Sequence, residues 1–154
     1  MIRILKLTFI VFFLKISFLE AEIVKPNSDI KPVQVVKIQL KGLMKNDSPY
    51  KDQGIEQTWE FAHPNNKIFT GPINRFKEMI KGESYKMLID HTNHEIKEIY
   101  LNDELAIFEV TVMDNDKKYF KFKWQVEKYL NGGPLENCWL TTVVSQPLPL
   151  GEAI

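Results

Sequence analysis

Apolar positions change their spacing midway along the chain. From Pro32 they fall at Val33, Val36, Leu40 and Leu43, widened by Ile38 and Met44, which is the stripe of an amphipathic helix ending near Asn46. Asp29 reads as its cap, and Pro32 is tolerated in a first turn. Gly42 inside the stripe costs about 1 kcal/mol against alanine, which points to close packing there. Ile55, Trp59 and Ala62, with Thr58 and Phe61 beside them, predict a second helix over 52–62. Pro64 excludes His63 from the α region and ends that helix, and Asn65-Asn66 suit a turn. Thr70-Gly71-Pro72 then open a third helix. Its apolar face is Ile73, Phe76, Met79 and Ile80, and Gly82 is its expected left-handed exit.

After Tyr85 the spacing drops from 3.6 to 2. A short strand is expected around Leu88, then Ile96–Leu101. Leu105–Met113 follows, with Ala106, Phe108, Val110 and Val112 on one face. Asp114-Asn115-Asp116 is a hairpin signal. Lys118–Leu130 places Phe120, Phe122, Trp124 and Val126 on one face and Tyr119, Lys121, Lys123 and Gln125 on the other. Cys138–Ser145 reads as the last strand. Pro147 and Pro149 end it, and 148–154 reads as a flexible tail. The order is that of an α+β fold, with three N-terminal helices packed on a curved antiparallel sheet of about five strands. The nuclear-transport-factor-2-like (NTF2-like) cone, with a hollow between helices and sheet, commonly uses this order.

The first 21 residues stand apart. Arg3 and Lys6 precede the apolar run Leu7–Leu14, and Ala21 is a possible cleavage residue, so 1–21 reads as a signal peptide. An uncleaved membrane anchor is the alternative, although the run is short for a span of about 20 residues. Residues 22–30 are a polar lead-in and 31–147 a single domain. The expected location is exported: periplasm, thylakoid lumen or secreted.

Formal net charge is zero over 154 residues, which supplies no general attraction to nucleic acid or anionic membrane. Cys138 is the sole cysteine, so no intrachain disulfide is possible, and beside Trp139 it reads as a small buried hydrophobe.

Several stretches resemble chemical sites and have simpler readings. His91 and His94, between Asp90 and Glu95, contain metal-ligand types, but strand positions three apart face opposite ways, so a solvated hairpin tip is expected. Asp114-Asn115-Asp116 lacks the glycine and glutamate of a calcium loop. Lys117–Trp124 alternates bases and aromatics, as single-strand binders do, and burial of the aromatics explains the alternation. Asp47, Asp90, Asp114 and the three histidines are possible acids and bases, with no nucleophile–base pair or phosphate loop among them. His63, before a proline at a helix end, reads as structural. No cofactor or metal is indicated.

One group of motifs resembles a family. Phe61-Ala62-His63-Pro64-Asn65-Asn66, Thr70-Gly71-Pro72, Arg75-Phe76, Met79, Tyr85 and Cys138-Trp139 with Thr141 are similar, over about Val33–Pro147, to the DUF4864 family of uncharacterised proteins. His63 stands where that pattern has serine. The resemblance implies an NTF2-like cone and no established activity. The expected function is binding, without catalysis, of a small apolar ligand or a protein partner. Trp59, Phe76, Tyr85, Trp124 and Trp139 are the expected lining of the hollow. One alternative is an isomerase or dehydratase using a cavity aspartate or histidine. Another is an interaction module forming a homodimer, or joining a membrane complex, through the outer sheet face of Tyr119, Lys121, Lys123 and Gln125.

Overall fold

The computed structural model describes residues 22–152, so the expected signal peptide lies outside the described residues. Four helices precede an open five-stranded antiparallel sheet, an α+β fold. The helices are α1 (Pro32–Met44), α2 (Gln53–Glu60), α3 (Pro64–Thr70) and α4 (Ile73–Lys81). The strands are β1 (Asn93–Leu101), β2 (Leu105–Met113), β3 (Lys118–Lys128), β4 (Trp139–Val144) and β5 (Leu148–Glu152). Among the described residues no helix is long and apolar enough to cross a membrane.

The period-2 face works as expected. Ala106, Phe108, Val110 and Val112 of β2 and Phe122, Trp124 and Val126 of β3 are all buried, and they meet Val35, Val36, Leu40 and Leu43 of α1 in one core. Strand β3 is central. Strand β2 pairs along one edge of it, while β4 and β5 share the other. Register slips in the β1–β2, β3–β4 and β3–β5 pairings mark bulges, which bend a sheet.

Five local expectations are corrected. Pro64 does more than stop α2: its fixed φ suits a first helical turn, so it also starts α3 where a turn was expected. His63 caps that helix, its Nδ1 accepting from the Asn65 N–H at 3.1 Å. The residues around Leu88 form a 3₁₀ turn, Lys86–Leu88, instead of a strand: the Leu88 and Ile89 N–H groups donate back to Tyr85 O and Lys86 O, just before the left-handed Asp90. The tail expected after Pro147 contains β5, for Pro149 sits at a register slip of an edge strand, where a missing N–H is tolerated. Asp29 does not cap α1; Gln34 Oε1 accepts from the Lys31 N–H at 2.7 Å. Gly82 is extended at φ −72°, not left-handed.

Helices α1 and α2 cross at two glycines. A Cβ on Gly54 would lie 2.1 Å from the Gly42 carbonyl oxygen. The α2–α3 junction is stitched to β4: the Thr141 N–H donates to Phe61 O at 2.8 Å and the His63 N–H donates to Thr141 O at 2.9 Å. The Asn66 amide adds bonds to the Thr141 and Thr142 carbonyls at 3.1 and 2.7 Å. This seam leaves room beside it, lined in part by Ala62, Asn66 and Thr141.

Candidate functional site

That room is a cavity of about 260 Å³. Gln39 and Leu43 of α1 and Trp124 of β3 form its buried floor. Phe76, Met79 and Ile80 of α4 form one wall, Tyr85 and Leu88 from the 3₁₀ turn another, and Thr141–Val144 of β4 the side opposite. Asn66 and Thr70 lie along α3 at its edge.

The polar groups in this lining are already engaged. Gln39 Oε1 accepts from Trp124 Nε1 at 3.0 Å and from Thr141 Oγ1 at 2.7 Å, and its Nε2 donates to Thr58 O at 3.0 Å. Thr58 Oγ1 donates to Gly54 O, and Thr70 Oγ1 to Asn66 O. The Tyr85 hydroxyl donates to Val144 O at 3.2 Å, and burial holds its pKa above the ordinary 10.0. No buried side-chain nitrogen or oxygen among the described residues lacks a partner. The lining contains no aspartate, glutamate, lysine, arginine or histidine.

Of the five aromatics expected to line the hollow, Phe76, Tyr85 and Trp124 do so. Trp59 stands behind Phe76, ring centroids 5.2 Å apart, with Lys67 Nζ 5.1 Å from its own centroid. Trp139 is buried beside Lys128, whose Nζ is 5.2 Å from its ring, and borders a different cleft with Lys31 and Pro32. Sequence reasoning missed Gln39, Leu43, Met79, Ile80, Leu88 and the threonines of β4. Gln39 was the legible one: a glutamine on the core side of an apolar helix stripe needs a polar partner.

The possible acids and bases are dispersed. Asp90 serves the end of α1, its Oδ1 accepting from the Asn46 N–H at 3.1 Å and its own N–H donating to Leu43 O at 2.8 Å. Asp114 closes the β2–β3 hairpin through its Oδ1. Asp47 Oδ1 accepts from Asn46 Nδ2 and the Asp52 N–H. Cys138 is buried, and burial raises its thiol pKa, which leaves it unreactive. Among the described residues no group of three or more metal-binding side chains comes together. His91 and His94 are not a solvated tip. His91 is buried and its Nε2 lies 2.8 Å from His94 Nδ1, because residues 88–92 turn sharply enough to bring both rings to one side.

The outer sheet face carries Lys121, ion-paired to Glu109 at 3.2 Å, beside a shallow groove lined by Ile99, Ile107 and Leu148. No family model matches the chain, and no curated protein or solved structure matches it either.

Proposed function

We propose that this protein binds a small, uncharged, apolar molecule in the cavity between α4, β4 and the Tyr85–Leu88 turn, without catalysis. The observation that carries this reading is a largely apolar hollow whose buried polar side chains are all satisfied by the protein itself. An occupant is asked for little hydrogen bonding, and burying its surface is favourable at about 25 cal/mol per Å². Size narrows the class. Benzene occupies a void of about 150 Å³, and drug-sized ligands need roughly 300–1,000 Å³. At 260 Å³ the cavity suits one or two rings or a short branched chain. The same lining gives the isomerase or dehydratase reading little support, since Tyr85 is the one titratable side chain there and burial keeps it protonated. The DUF4864 resemblance and the NTF2-like cone fit a binding role and specify no ligand; export is the setting we propose.

The test is titration with 2-naphthol, an uncharged two-ring dye whose emission shifts to the blue in apolar surroundings. Wild type is expected to bind it in a one-to-one ratio. Val144→Trp, which fills the cavity from β4, is expected to weaken binding at least tenfold while keeping the wild-type circular dichroism. Equal binding by both proteins sinks the assignment of the cavity.

A second reading rests on the outer face, where Ile99, Tyr100 and Leu148 are each about half exposed. A homodimer or membrane-complex partner there would cover the Ile99–Ile107–Leu148 groove. Sedimentation equilibrium of wild type against Ile99→Lys checks it: a dimer is expected to dissociate in the variant, and a monomeric wild type removes the homodimer.

A further inference from the structure

The two histidines are bonded to the back of the turn that forms one wall of the cavity. The turn Lys86–Leu88, with Tyr85 before it, supplies two lining side chains, Tyr85 and Leu88. Its last carbonyl, Leu88 O, lies 2.7 Å from His91 Nδ1. A carbonyl only accepts, so His91 Nδ1 carries a proton. In the neutral ring Nε2 is then a bare acceptor, and the proton in the 2.8 Å bond to His94 belongs to His94 Nδ1. The chain of bonds therefore has one direction: His94 Nδ1–H to His91 Nε2, and His91 Nδ1–H to Leu88 O. His94 belongs to β1, so this chain ties the cavity's turn to the sheet.

Two protons have defined places to go. His94 Nε2 is the remaining bare nitrogen, and a first proton taken up there leaves both bonds intact. The second can enter only at His91 Nε2. Two N–H groups then face each other across the former bond, and two imidazolium rings adjoin. We propose that this pair is a proton-operated latch: uptake of the second proton breaks the His91–His94 bond, frees the Tyr85–Leu88 turn and empties the apolar cavity. The latch rests on the binding role argued above.

The surroundings resist charge on the pair. Helix α1 contributes Lys37 and Lys41, which share a cleft with His94 and Ile96. Strand β2 sets apolar Val112 opposite His94. The 3₁₀ turn presents Leu88, with its Lys86 occupied by Glu83 at 2.8 Å. Asp90, on the pair's own segment, is the nearby anion and favours a charged His91, against the dominant effect of burial. Burial, the largest cause for each ring, holds both below the ordinary imidazole value, against the Leu88 carbonyl bond and Asp90, which favour a charged His91. The latch is therefore closed at neutral pH and opens on acidification.

The experiment uses the full chain and 2-naphthol, whose charge does not change across pH 4.5–7.5. Wild-type affinity is expected to hold as pH falls until His91 Nε2 titrates. It should then drop by about tenfold per pH unit, the limit for one coupled proton. In His94→Asn the amide can donate to bare His91 Nε2 or turn its oxygen to accept from the protonated one, so affinity becomes flat with pH. Nitrogen-15 spectra of the wild-type imidazoles supply a reading that needs no variant: His91 Nε2 should gain its proton over the pH range in which dye is lost. Dye that stays bound while His91 titrates overturns the latch alone, as does an unaltered pH profile in a folded His94→Asn. Absence of dye binding at pH 7.5 overturns the binding role, and the latch with it.

Discussion

Gln39 is the residue on which the cavity floor depends. It is buried among apolar neighbours, and its one amide joins three elements through Trp124, Thr141 and the Thr58 carbonyl. Gln39→Met keeps the length of the side chain and withdraws the acceptor from two buried donors. A loss of about 2–3 kcal/mol in urea unfolding is expected, since a stranded buried group costs about 1–3 kcal/mol. Thr141→Val removes one donor and leaves Gln39 bonded to Trp124, so about 1 kcal/mol is expected from the same measurement. At this scale the sequence was partly legible. Alternation along β3 put Trp124 on the buried face, and it lines the cavity. The same logic failed for Trp139, which alternates with Thr141 but pairs with Lys128 at the end of β3 and borders another cleft. Trp139, Leu140 and Thr141 are buried in succession, which no two-residue period predicts.

Among the elements, the α1–α2 crossing makes the sharpest prediction. Gly42 was the glycine that drew notice in the sequence, yet a Cβ there would meet Gly54 at 3.3 Å, a contact a small shift relieves. At Gly54 the added carbon would sit 2.1 Å from the Gly42 oxygen and 2.9 Å from Asn46 Cα, both backbone. Gly54→Ala is expected to lower stability by about 3 kcal/mol or more, because the helices must separate. Gly42→Ala should stay within about 1 kcal/mol of wild type, as helix propensity offsets the crowding. Thermal unfolding of both variants checks the contrast. Long periodic elements were readable: α1, α2, α4, β2 and β3 lie where apolar spacing placed them. The short ones were not. Helix α3 has seven residues and no buried side chain, so no stripe announces it. Strand β5 is exposed throughout, follows Pro147 and contains Pro149, so its pairing with β3 leaves no mark on its hydropathy.

For the whole molecule, titration sets two acid windows of stability. Burial holds His63, His91 and His94 below the ordinary 6.5, so the unfolded chain takes up protons there first. Their contribution is complete above pH 6.5 and declines as pH falls toward their folded values. Hydrogen bonds from Lys81 and Lys77 lower Asp52 and Glu56 below the ordinary 3.8 and 4.5. That second contribution is complete above those values and is lost at more acid pH. The melting temperature is expected to fall in two stages as pH drops from 7.5 to 3, with the upper stage reduced in His94→Asn. A single fall confined below pH 4.5 contradicts the histidine share.

The seam at Thr141 also orders events in time. Gln39 and Thr141 are 102 positions apart, and Asn66 and Thr141 are 75. During synthesis the four helices leave the ribosome long before the strand that seats them. Until β4 emerges, Leu40, Leu43 and Phe61 have lost the support of that seam, and a chain stalled in the β3–β4 loop exposes an apolar surface that chaperones recognise. The cavity is thus made last, and its presence reports that the strand segment has been delivered.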